Sequence, residues 1–162
     1  MASSDQHETN PAGADAAETQ AGFETPVAPR PRGDIEAARA FAIEAARLLG
    51  DDRCEDIVVL DVSSVSQVTD FIVIASGTSD RQMRGSADDV RKLADARAFP
   101  VYRHSVDART TWYILDCVDV VIHIFEPNTR AHYDLEMLWG DVPRVEWERP
   151  ESKRRDHAGL ND

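Results

Sequence analysis

Two apolar runs set almost back to back constrain this chain more than anything else in it. Trp112-Tyr113-Ile114-Leu115-Asp116 is followed, after Cys117 and Val118, by Asp119-Val120-Val121-Ile122-His123-Ile124-Phe125. Both runs are rich in β-branched and aromatic residues, and neither is long enough for a buried helix. This is the signature of a β-hairpin. With Cys117-Val118 as the turn, Asp116 faces Asp119, Leu115 faces Val120, Ile114 faces Val121, Tyr113 faces Ile122 and Trp112 faces His123. Side chains alternate across a strand, so the hairpin sorts into two faces. Tyr113, Leu115, Val120, Ile122 and Ile124 form an apolar face that belongs against helices. Trp112, Ile114, Asp116, Asp119, Val121, His123 and Phe125 form a mixed face.

The rest of the chain supplies the partners of this hairpin. Ile57 to Val62 and Phe71 to Ala75 are nearly continuous β-branched runs, suited to central strands, and Val101-Tyr102-Arg103 is a shorter candidate. Asp34 is a good N-cap for a helix whose apolar residues recur at Ala38, Phe41, Ala42, Ala45, Leu48 and Leu49, with Gly50 as the expected stop. Ser79-Asp80-Arg81-Gln82 has capping-box spacing and opens a second helix with its stripe at Met83, Ala87, Val90, Leu93 and Ala94. After Pro127, a short helix carries Tyr133, Leu135, Leu138 and Trp139 and ends at Gly140. The predicted order is α-β-β-α-β-β-β-α, an α+β or α/β chain with a mixed sheet of about five strands and helices mainly on one face.

Composition divides the chain into one folded domain and two tails. Residues 1–33 are rich in Ala, Glu, Thr and Pro and poor in large apolar residues, so they cannot offset their ordering entropy and are expected to be a disordered tail, dispensable for folding. Residues 34–149 form the domain, and residues 150–162 a flexible charged tail. No run approaches the roughly 20 apolar residues of a membrane helix, and the acidic start is unlike a secretory signal. Cys54 and Cys117 stand far apart with no C-x-x-C spacing and read as reduced thiols in a cytoplasmic protein, a disulfide being the alternative. Lys and Arg total 18 against 30 Asp and Glu, a net charge of −12. Docking on bare phosphate needs the opposite balance, so strong direct binding to nucleic acid is not expected.

Four segments carry a family resemblance. Asp70-Phe-Ile-Val-Ile-Ala-Ser-Gly-Thr-Ser79 resembles the D-[YF]-x-V-I-x-S-G-x-S segment of the ribosomal silencing factor, or Iojap, family. Trp112 to Asp116 and Asp119 to Phe125 resemble its W-x-x-x-D and D-V-V-V-H-x-F segments. Arg130-Ala-His-Tyr-Asp-Leu-Glu-Met-Leu-Trp139 resembles its closing R-x-[FY]-Y-x-L-E-x-L-W. Their order and spacing are the family's from about Ile35 to Asp141. The chain departs from the pattern at Val118, where the family usually has Gly, and in the glycine-free stretch from His104 to Thr111. The resemblance implies a fold like that of nucleotidyltransferases without their active site. It also implies binding to the large ribosomal subunit through its fourteenth ribosomal protein, a steric block to small-subunit joining, lowered translation when nutrients are short, and a role in large-subunit maturation.

The residues themselves leave alternatives. The mixed face, with a large aromatic, aliphatics and two acids, has the make-up of a protein-binding surface and equally of a second, partly covered core face. On the first reading Trp112, Ile114, Asp116, Asp119, Val121 and His123 are contacts for a basic ribosomal protein, and the family close adds Tyr133, which helical spacing alone would put in the core. Such a patch also suggests a homodimer in the free protein. Gly77-Thr78-Ser79 at a helix start invites a phosphate-binding, nucleotidyltransferase-type reading. That chemistry needs two carboxylates together on a strand, whereas Asp88 and Asp89 are adjacent on a helix. A self-associating module is a third reading. His104, His123 and His132 lack zinc-site spacing. No catalytic residue, metal or cofactor is therefore expected.

Overall fold

The computed structural model describes residues 33–151; the two expected tails lie, apart from Gly33, Pro150 and Glu151, outside the described residues. Helix α1 (Ile35–Asp51) leads into strands β1 (Glu55–Asp61) and β2 (Phe71–Ser76), followed by α2 (Asp80–Ala96). Strands β3 (Arg103–Val106), β4 (Trp112–Asp116) and β5 (Val120–Phe125) follow, then the short helix α3 (Pro127–Tyr133) and a 3-10 turn over Leu135–Trp139. This is the predicted order, and it makes a five-stranded mixed sheet, β1-β2-β5-β4-β3. Only β2 and β5 run parallel, at the centre, where β2 is buried along its whole length. A parallel pair needs a long crossover, which α2 and the β3–β4 excursion supply.

Local signals explain the helix starts. The Asp34 side chain accepts from the N–H groups of Glu36 (3.0 Å) and Ala37 (3.2 Å). Ser79 Oγ accepts from Gln82 N–H at 3.1 Å, half of a capping box. The Gln82 side chain does not return to Ser79; its amide donates to the Asp52 carbonyl at 2.8 Å, tying the start of α2 to the end of α1. The helix ends differ from expectation. α1 runs through Gly50, and the left-handed residue that ends it is Arg53, φ 66°. Arg53 N–H donates to Gly50 C=O and Cys54 N–H to Leu49 C=O, a Schellman motif without glycine. α2 ends the same way on Ala98, φ 60°, with Phe99 N–H on Ala94 C=O.

The sheet has two unlike faces. On one, Tyr113, Leu115, Val120, Ile122 and Ile124 pack with Phe41, Leu49, Met83 and Val90 of α1 and α2 in the main core. On the other, Leu60, Val62, Ile72, Ile74 and Phe125 form a smaller core, covered by Leu135, Trp139 and Val142. The chain then returns along the outer edge of β1: Asp61 N–H donates to Pro143 C=O and Val145 N–H to Val59 C=O. Trp147 closes this return, its indole N–H donating to Ile57 C=O at 3.1 Å. Cys54 and Cys117 are buried and not joined to each other, and burial pushes the Cys117 thiol up to about 12. No helix among the described residues is long and apolar enough to cross a membrane.

Candidate functional site

The β4–β5 hairpin turns one residue later than the apolar runs suggest, which slips the strand pairing by two. Cys117 N–H donates to Val120 C=O at 2.9 Å, so Val118-Asp119 is the turn. Asp116 therefore pairs with Val121, Ile114 with His123 and Trp112 with Phe125. This corrects the expected register, including the pairing of Asp116 with Asp119. The slip is even-numbered, so every side chain keeps its face. Val118 takes a φ of 71°, and Cys117 C=O accepts from Asp119 N–H at 3.0 Å, a three-residue γ-turn. The Asp116 carboxylate serves the turn, accepting from Val118 N–H at 2.8 Å.

The mixed face is partly covered, and the cover is aromatic. The half-buried Trp112 ring stacks on Phe125 at 4.7 Å, lies 4.9 Å from Tyr133 and 5.9 Å from His123 (centroid distances). Its indole N–H donates to His123 Nδ1 at 3.1 Å. His123 is 8% exposed and offers almost no surface; its place is beneath Trp112. Burial pushes its pKa down to about 4. Ile114, Asp116, Asp119 and Val121 are half-buried. Tyr133, at 55% exposed, stands at the margin of the aromatic cluster.

Sequence reasoning missed how this margin is built. The expected single helix breaks at Asp134, φ 45°, into α3 and the 3-10 turn. That break turns Leu135 and Trp139 inward and leaves Met137 and Leu138 about three-quarters exposed, although an unbroken helix would put Leu138 on the same side as Leu135. Arg130 fixes the break. Its guanidinium donates to Asp56 C=O at 2.6 Å, to Ser76 Oγ at 2.8 Å and, by two nitrogens, to Glu136. The family's closing pattern contains both the Arg and the Glu, a signal that an ion pair of six-residue spacing would be formed. Val65 and Val68, also exposed, lie in the β1–β2 connection.

The glycine-serine loop before α2 has structural uses for each of its groups. A Cβ on Gly77 would fall 2.1 Å from Met83 Cγ, so the glycine makes room for a buried side chain. The Thr78 hydroxyl donates to Gln82 Oε1 at 2.9 Å, and Ser79 is the cap already described. Among the described residues no group of three or more His, Cys, Asp or Glu side chains is arranged to hold a metal ion.

Comparison with known proteins agrees over the whole of this architecture. The family model described as "Ribosomal silencing factor during starvation" matches residues 35–161. The chain is 35% identical over 104 residues to a ribosomal silencing factor of Halalkalibacterium halodurans, covering 64% of this chain and 89% of that protein. Among more distant relatives, a mouse protein named mitochondrial assembly of ribosomal large subunit protein 1 is 33% identical over 95 residues, 57% of this chain and 42% of its own length. A crystal structure of a Chromobacterium violaceum protein superposes with a TM-score of 0.59 at 30% identity, covering 73% of this chain and 98% of that one.

Proposed function

The chain belongs to the ribosomal silencing factor family, and from that membership we propose that it binds the large ribosomal subunit and blocks the small subunit from joining. The reading is of a translational repressor that works by occlusion in the cytoplasm, with no chemistry of its own. Its contact on the subunit would be a basic protein surface, that of the fourteenth large-subunit ribosomal protein. One observation carries this: on the second sheet face an exposed Tyr133 lies against a half-buried Trp112, the 3-10 turn that covers this face leaves Met137 and Leu138 exposed, and Asp116 and Asp119 lie farther along the hairpin. An aromatic centre with an apolar margin is the make-up of an interface hot spot. A net charge of −12 opposes docking on RNA phosphate and favours Lys and Arg.

In this reading Trp112 and Tyr133 are anchors, Ile114 and Val121 the apolar floor, and Asp116 and Asp119 the partners of cations. His123 acts through Trp112 by holding its indole. The same face in the free protein pairs two copies across a two-fold axis, so self-association and subunit binding compete. The mouse relative's name speaks of ribosomal large-subunit assembly, and an assembly role for this chain is compatible with the same docking.

Sedimentation tests the proposal. Purified large subunits mixed with the protein are expected to carry it down the gradient, and added small subunits to form fewer joined particles as its concentration rises. Unchanged joining at saturating protein refutes the block, and absence from the large-subunit fraction refutes the binding. Light scattering that finds a strict monomer at high concentration refutes the dimer.

A further inference from the structure

The connection between β3 and β4 decides where Trp112 stands, and one carboxylate in it gathers the hydrogen bonds. Thr110 N–H donates to Asp107 C=O at 3.0 Å, closing a tight turn. Thr110 itself takes a φ of 56°, the left-handed place after such a turn where glycine is preferred. A β-branched residue resists that conformation, so the turn needs another support.

The Asp107 side chain supplies it. Its Oδ1 accepts from Thr111 N–H at 2.6 Å and from Trp112 N–H at 2.9 Å, and its Oδ2 accepts from the Thr111 hydroxyl at 2.7 Å. Asp107 N–H donates in turn to Trp112 C=O at 3.2 Å. One residue thus holds both backbone polar groups of Trp112. Partial burial raises the Asp107 carboxyl, but the hydrogen bonds from Thr111 and Trp112 outweigh this and hold it below the ordinary carboxylate range. Bonds to an ionised acceptor are the strong kind.

The consequence falls on the indole. Trp112 is the first residue of β4, so no earlier strand residue fixes its backbone, and the backbone sets where a strand side chain points. The ring is half-buried and meets Phe125, Tyr133 and His123 only while that start is held. An anchor immobilised in advance loses less freedom on docking.

We propose that Asp107 is a positioning residue for docking, acting through Trp112 by fixing the start of β4. This rests on the reading of Trp112 as a docking anchor.

Two measurements on the full chain test it, one of them without ribosomes. The chain has three tryptophans, so their indole N–H resonances can be followed separately. In Asp107→Ala the Trp112 indole resonance should shift and its hydrogen exchange quicken, while those of Trp139 and Trp147 stay in place. Affinity for the large subunit should fall about tenfold, the scale of immobilising one large side chain on docking. Asp107→Asn, whose amide oxygen can accept both N–H groups, should recover most of that affinity. In a Trp112→Ala background, Asp107→Ala should weaken binding no further, because the residue it acts through is gone. An unmoved Trp112 indole resonance overturns the proposal. So does an unchanged affinity beside a weakened Trp112→Ala, or an equal loss in both backgrounds, which would make Asp107 a contact in its own right. If the wild type and Trp112→Ala bind subunits equally, or neither binds, the docking reading is what fails, and the indole resonances still decide whether Asp107 holds Trp112. Should Asp107→Ala not fold, Asp107→Glu, which keeps the charge and displaces it by a methylene, carries the same tests.

Discussion

The indole N–H of Trp112 donates to Nδ1 of His123 across the β4–β5 pair, at 3.1 Å. An indole can only donate, so Nδ1 carries a lone pair and the neutral imidazole keeps its proton on Nε2. Protonation would set two N–H groups against each other inside the aromatic cluster.

Stability should therefore fall with acid in a defined window. Burial lowers His123 from 6.5 to about 4, so the unfolded chain takes up the proton first. Its contribution is fully present above pH 6.5 and is lost as pH drops towards 4; with these two values the loss between pH 7 and pH 5 is about 2 kcal/mol. Urea midpoints at the two pH values should show that loss in the wild type and a shallower dependence in His123→Phe. Equal slopes would mean that His123 titrates normally.

Trp112 and Tyr113 should separate binding from folding. Tyr113 is buried against α1 and α2, and its hydroxyl donates to Asp80 Oδ1 at 2.6 Å. Tyr113→Ala is expected to cost about 3–5 kcal/mol of stability. Trp112→Ala should cost less than half of that and instead weaken large-subunit binding by about 2 kcal/mol, roughly thirtyfold. The check is a urea midpoint and a subunit affinity for each variant. A Trp112→Ala protein that unfolds, beside a Tyr113→Ala protein that keeps its urea midpoint, would reverse the assignment.

Val118→Gly should stabilise the protein. A β-branched residue at φ 71° is strained, and its side chain, 37% exposed, loses little packing when removed. Relief of about 1–2 kcal/mol, less the greater entropy of an unfolded glycine, leaves a gain of about 1 kcal/mol. Thermal and urea midpoints should both rise.

Arg130→Ala should release the cover of the second core. The residue bonds to Asp56, Ser76 and Glu136 at once, joining the sheet to the 3-10 turn. The expected loss is about 2–3 kcal/mol. Hydrogen exchange should accelerate at the Met137 and Val142 amides before it does in α1. Arg130→Lys should recover less than half, because an ammonium cannot reproduce the planar fork that serves these acceptors.

The faces of the hairpin were legible in the sequence because they depend only on parity. Its register was not. The apolar runs end at Asp116 and Asp119, while the turn sits on a valine with positive φ, against its backbone preference. The break at Asp134 was equally hidden: a 3.6-residue period puts Leu138 inward, and only Arg130 bonding Glu136 bends the chain so that it faces out. The return along β1 did leave a trace. Val145 and Trp147 alternate with Arg144 and Glu146, the period of a strand, in a stretch to which the sequence analysis gives no element. The aromatic cluster was visible residue by residue, but the covering of His123 depends on α3, whose docking no local pattern specifies.

That return has a consequence for growth. With Pro143–Val145 bonded along β1, the sheet keeps one edge with no strand beyond it among the described residues, β3, which is four residues long and exposed throughout. A strand edge is a template, and a sheet with two of them can recruit copies without limit. Here a copy added at β3 brings its own sealed side outward, so recruitment terminates at the first event. Pro143 to Val145 thus act as a stopper on the β1 side, and added strands are left only the β3 side of the described sheet.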